Sequence, residues 1–170
     1  RMSMTTTDRA LVPYLDAFAA MKATLPGARS LREAAIARFA ERGFPSVRDE
    51  AWKYTNLSRH LRNAYVGAGA GKIDAKALAL HGFAGSGHRL VFVNGAYAPE
   101  LSDIGALPAG AILRPIGDAL GRDVDAVAET MGAAQPDDGL AALNTAFMRD
   151  GLCLTLGRGV MLDRPIDLVH

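Results

Sequence analysis

Residues 150–170 constrain the fold most tightly. Asp150-Gly151 turns into Leu152-Cys153-Leu154-Thr155-Leu156, where leucines alternate strictly with other residues. A period of two is the signature of a strand with one apolar face. Gly157-Arg158-Gly159 turns again into Val160-Met161-Leu162, and Asp163-Arg164-Pro165 makes another corner before Ile166-Asp167-Leu168-Val169-His170. These runs are shorter and closer together than the arms of ordinary hairpins. Short strands around glycine and proline corners suit the coils of a parallel β-solenoid, each coil resting on its neighbours. No polar capping segment follows the final apolar run, so the reading is of a solenoid that begins here and is meant to be extended. The exposed last strand also offers an edge on which a second copy of the chain could pair.

Upstream the period changes to that of helices. Leu11, Tyr14, Leu15, Phe18, Met21 and Leu25 form one apolar stripe, with Pro13 tolerable only in a first turn and Pro26-Gly27 as a stop. A second helix is predicted from Ser30, with Glu33 completing a capping box, Leu31, Ala35 and Phe39 as its inner face, and Gly43 as its end. Two such helices joined by a short loop predict an antiparallel hairpin. Farther on, Leu90-Val91-Phe92-Val93, Asn94-Gly95 and Ala96-Tyr97-Ala98 read as a β-hairpin, and Ile112-Leu113 as another strand. Val124, Val127, Ala128 and Met131 restore helical spacing up to Gly132, and Leu140, Leu143 and Phe147 give a short helix entered from Asp137-Asp138.

Between helices and strands, Phe44–Leu57 concentrates charge and large aromatics. Phe44, Trp52 and Tyr54 are expected to anchor this irregular stretch on a core, with Arg48, Asp49, Glu50 and Lys53 pairing around the rings. The glycine-rich run Gly67–Lys72 is not a phosphate loop. Val66 stands where the first glycine is required, and Ile73 where a hydroxyl must follow the lysine. It reads as a linker.

Composition removes further classes. Nineteen basic residues against eighteen acidic ones give no footprint for nucleic acid or an acidic membrane. Arg29, Arg32, Arg38 and Arg42 on one helix are interspersed with Glu33 and Glu41 and read as a solvated face. The single cysteine, Cys153, excludes a disulfide framework and cannot alone hold a structural zinc or an iron–sulfur cluster. It reads as a small buried hydrophobe. No apolar run reaches the roughly 18–20 residues that cross a bilayer, and Met2-Ser3-Met4 leads into no signal-peptide core. A reducing, cytoplasmic setting is expected. His60, His81, His88 and His170 share no metal-ligand spacing, and Gly85-Ser86-Gly87 is too tight for a nucleophile elbow. No catalytic, cofactor-binding or metal-binding residue is assigned.

Four segments carry a resemblance. They are Gly43-Phe44-Pro45 with Arg48-Asp49-Glu50-Ala51-Trp52-Lys53-Tyr54-Thr55; Leu90–Gly95 with Tyr97 and Leu101-Ser102; Leu140–Phe147 with Asp150-Gly151; and Arg164-Pro165-Ile166 with Leu168 and His170. In order and spacing they resemble the N-terminal part of the SufB/SufD family of iron–sulfur cluster assembly proteins, and its SufD branch in particular. The SufB branch is less similar in the first third.

The resemblance implies an α+β chain in three parts. These are a helical N-terminal region (1–65), a small mixed α/β segment with a hairpin (66–149), and the first strands of a right-handed parallel β-helix (150–170). It implies a non-enzymatic scaffold subunit with SufB-like and SufC-like partners, SufD being linked to iron supply. The complex would assemble iron–sulfur clusters, with ATP used by a separate subunit and no cofactor in this stretch. Family positions linked to iron or cluster lie beyond this sequence, so no functional residue is carried over, and Cys153 matches none of them. A rival reading, the front of a β-helix enzyme such as a transferase, would have to build its site from Asp163, Asp167 and His170. A nucleic-acid module using the arginine-bearing helix is the third.

Overall fold

The computed structural model describes residues 6–65, 67, 69, 71–76, 78, 87–122, 124–134 and 138–170. Readings made on Met2–Met4, Val66, His81, Gly85-Ser86 and Asp137 lie outside these residues. The elements are α1 (Thr6–Met21), α2 (Arg29–Arg42), β1 (His88–Val93), β2 (Ala96–Tyr97), β3 (Ala111–Pro115), α3 (Ile116–Arg122), α4 (Val124–Ala134), α5 (Gly139–Phe147), β4 (Leu152–Leu156) and β5 (Ile166–Val169). The α+β class follows directly. Contacts group the chain into two compact units, each built from two separate stretches: residues 1–66 with 120–148, and 67–119 with 149–170.

The first unit is helical. Phe18 and Leu25 from α1 and its exit meet Ala35 of α2 and Ala146 of α5, and a second cluster joins Leu11, Phe39 and Ala142. Phe39 is fully buried, which contributes about 1.5–3 kcal/mol by removing its ring from water. The buried face of α5 is Gly139, Ala142, Thr145 and Ala146, all small, so α2 and α5 approach closely. A Cβ on Gly139 would overlap the carbonyl oxygen of Gly43.

Three local expectations are corrected. Pro13 lies well inside α1, not in its first turn; it sits on the exposed side, where water can serve the carbonyl it leaves without a donor. The capping box does not form. α2 begins at Arg29 behind Ala28, whose backbone is left-handed (φ 49°) with no side-chain cap, and Glu33 instead pairs with Arg29 at 3.2 Å.

The third concerns Arg32, which is no part of a solvated face, being only 2% exposed. Its Nε donates to the Gly27 carbonyl (2.9 Å) and Nη2 to that of Pro26 (2.5 Å). Its Nη1 donates to the carbonyls of Ala146 (3.3 Å) and Met148 (2.5 Å). The guanidinium fork thus serves the turn before α2 and the C-terminal end of α5, where carbonyls lack helical partners and the dipole favours a cation. Burial lowers its pKa from the ordinary guanidinium value.

In the second unit β1 is the middle strand of a sheet ordered β2-β1-β5. Asn94 (φ 52°) and Gly95 (φ 78°) both take positive φ, the requirement of a two-residue type I′ hairpin, and Phe92 faces Tyr97 in the antiparallel register. β5 pairs parallel with β1, from His88 opposite Ile166 to Val91 opposite Val169. Leu78, Val91 and Ala98 form the core of this unit, with Val93, Leu101 and Val169 against it.

The tail strands do not stack on one another. β4 pairs antiparallel with β3, Leu154 opposite Leu113 and Cys153 opposite Arg114, and Val160–Leu162 is not a strand. β4 forms as a strand, but its burial does not alternate: Leu154 and Leu156 remain 39% and 44% exposed. Cys153 is half-buried, not buried.

Candidate functional site

The segment that reads as most distinctive, residues 43–55, wraps one end of the α2–α5 pair. Gly43 (φ 69°) ends α2, its N–H on the Phe39 carbonyl at 2.8 Å. Phe44 then turns inward, edge-on to Tyr14 (centroids 5.2 Å apart) and Phe39 (5.0 Å). The next turn is closed locally: Asp49 Oδ2 accepts from the Ser46 N–H (2.7 Å) and hydroxyl (3.3 Å), and the Asp49 N–H donates to the Ser46 carbonyl (3.0 Å). Serine and aspartate commonly satisfy turn backbone in this way.

A single 3₁₀ turn, Glu50–Trp52, follows and swings the indole toward α5. Trp52 Nε1 donates to Asp138 Oδ2 at 3.0 Å, while Asp138 Oδ1 accepts from the backbone N–H groups of Leu140 (2.6 Å) and Ala141 (3.3 Å). One carboxylate therefore caps the helix and fixes the only tryptophan. Arg42, Pro45, Glu50, Ala51, Trp52 and Asp138 line a cleft of about 320 Å³ at this place.

Phe44 anchors the stretch as the sequence predicts, and Trp52 is half-buried. Tyr54 is not an anchor: it is 93% exposed, with Lys53 Nζ 5.7 Å from its ring centre. The expected ion-pair cluster is replaced by the Asp49–Ser46 turn, and the Glu50 carboxylate has no hydrogen-bond or ion-pair partner among the described residues, while its backbone carbonyl accepts from the Lys53 N–H at 3.4 Å. What sequence reasoning missed is Asp138 as the tie between loop and helix. Its cap role is legible before an apolar helix; its bond to Trp52 is not.

The remaining candidates are scattered. His60 is exposed in a 3₁₀ turn of the first unit. His88 is fully buried in the second, its Nδ1 donating to the Ile104 carbonyl and its Nε2 lying 3.4 Å from Asp163 Oδ1. His170 stacks on Phe92, centroids 5.2 Å apart. Asp167 lies against Gly87, where a Cβ would come within 2.5 Å of its carboxylate. Gly67, Gly69 and Gly71 lie in neither helix nor strand, and the Gly69 carbonyl accepts from Asn94 Nδ2 at 3.3 Å. Among the described residues, no group of three or more histidine, cysteine or acidic side chains is placed to hold a metal ion, and no helix is long and apolar enough to cross a membrane.

Residues 14–168 match the family described as the SufBD protein N-terminal region. An iron–sulfur cluster assembly SufBD family protein of Synechocystis sp. is 32% identical over 130 residues, covering 74% of this chain. The chain spans 28% of that relative's length.

Proposed function

The chain belongs to the SufBD family, and from that premise we propose that it forms the N-terminal region of a SufD-like scaffold subunit in an iron–sulfur cluster assembly complex. Family membership ties it to cluster assembly, and the observation that carries the reading is the family match over residues 14–168. The choice of SufD over SufB rests on the resemblance in residues 43–55, above all Asp49-Glu50-Ala51-Trp52-Lys53-Tyr54-Thr55.

On this reading the chain docks and orients partners and makes no bonds itself. Its partners are SufB-like and SufC-like subunits in the cytoplasm, ATP is used by the SufC-like one, and the cluster is cargo, not a resident cofactor. The organisation is a helical part (1–65), a mixed part (66–149) and the first strands of a right-handed parallel β-helix (150–170). The parallel pairing of β5 with β1 supports that last assignment for β5 alone, β4 being antiparallel to β3; among the described residues β5 is the outer strand of its sheet, with one edge left to extend the ladder. A second copy of the chain would compete for the same edge.

The test is co-expression of the tagged full-length protein with SufB-like and SufC-like proteins of the same source. Both should stay with it through affinity and size-exclusion steps. Elution alone, or only as a homodimer by light scattering, would overturn the reading.

A further inference from the structure

The cleft beside Trp52 has features that neither the fold nor the scaffold reading uses. We propose that it receives an arginine side chain from a partner polypeptide. Three observations converge. The indole is held in one orientation by its bond to Asp138, so its ring forms a fixed wall of the cleft. Glu50, on the same lining, is an exposed carboxylate with no partner among the described residues. Pro45 and Ala51 add apolar surface to the lining.

The charges around the cleft favour a cation. Asp49 also lines it, one of its oxygens engaged by Ser46, and Asp138 adds a second carboxylate that already accepts from Trp52 and the α5 backbone. Arg42, the basic group on the lining, already has an interaction of its own. A guanidinium meets all three surfaces at once: it stacks on an indole, forks onto a carboxylate, and carries a methylene stem that prefers apolar walls. Lysine shares the charge but neither the plane nor the fork. A polypeptide source is favoured over a free small cation because Val47 (47% exposed) and Tyr54, outside the lining but in the same 43–55 segment, offer surface that a backbone could cover. This inference goes beyond the scaffold reading and stands whichever complex the protein joins.

Trp52 is the only tryptophan, so its emission reports on the cleft directly. The 170-residue chain would be titrated with a short capped peptide, Gly-Gly-Arg-Gly-Gly, with its glutamine counterpart, and with free arginine. The arginine peptide should change the emission saturably, more tightly than free arginine, and the glutamine peptide should not. Glu50→Gln should weaken the response about fivefold, the scale of one partly exposed charge pair. The Trp52 indole N–H resonance should move in step, which also shows that the variant is folded. No saturable change, an equal response to the glutamine peptide, or an unaltered response in folded Glu50→Gln would overturn the proposal. A response to free arginine as tight as to the peptide would overturn the polypeptide assignment.

Discussion

Replacing Arg32 by methionine removes a charged fork from the interior while filling most of its volume. The four carbonyls it serves then differ in fate. Those of Pro26 and Gly27 are part-buried and can turn to water. Those of Ala146 and Met148 are bonded in the buried interior, and each costs about 1–3 kcal/mol when stranded. Sparing the guanidinium its own desolvation offsets part of this. The net loss is about 2–4 kcal/mol. Arg32→Lys keeps the charge but cannot reach both ends of the fork, so it should recover only part of that loss. Urea unfolding followed by Trp52, which lies in the same unit, measures the effect as a lower midpoint at unchanged slope.

The pH dependence follows from the direction of the shift. Burial lowers the guanidinium pKa, so the unfolded chain binds this proton more tightly than the folded one. Stability from this group then rises with pH only through the alkaline window between the two values, and below it both states are charged. The gap between wild type and Arg32→Met should therefore stay constant from about pH 5 to about pH 9. An unfolding free energy within about 0.5 kcal/mol of wild type, the range of an inconsequential surface change, would refute the reasoning.

Asp138→Ala should cost about 1–2 kcal/mol by removing the α5 cap, and Trp52 emission should shift to the red as the indole loses its acceptor; an unmoved spectrum would contradict that bond. Gly139→Ala drives a methyl group into the Gly43 backbone and should cost about 1–3 kcal/mol by thermal unfolding, since neither backbone can give way without parting α2 from α5. Tyr54→Ala should leave the unfolding free energy, read from thermal unfolding, within about 0.5 kcal/mol of wild type, because its ring is already in water.

What the sequence makes legible is local. Asn94-Gly95 demands positive φ twice, and only a tight hairpin uses that. Asp138 before an apolar run is a cap whatever surrounds it. The alternation in residues 152–156 specifies a strand but not its partner, so β4 is found on β3 where a solenoid coil is expected. Arg32 is the sharpest case. Four arginines among glutamates suggest a wet helix face, yet the carbonyls that draw this one inward are 114 and 116 residues away, and no window along the chain contains them. The cleft is hidden for the same reason: Trp52 and Asp138 are 86 positions apart.

That interleaving bears on synthesis. The chain leaves the ribosome from its N-terminus at about 5–20 residues per second. α1 and α2 emerge long before α5, and the ends of the β1–β5 ladder are translated far apart. Until residue 148 is out, Phe39 and Ala35 lack their partner helix and the Arg32 fork lacks half its acceptors. The nascent protein must therefore carry an unfinished apolar helix face for several seconds, a natural substrate for chaperones that hold emerging chains.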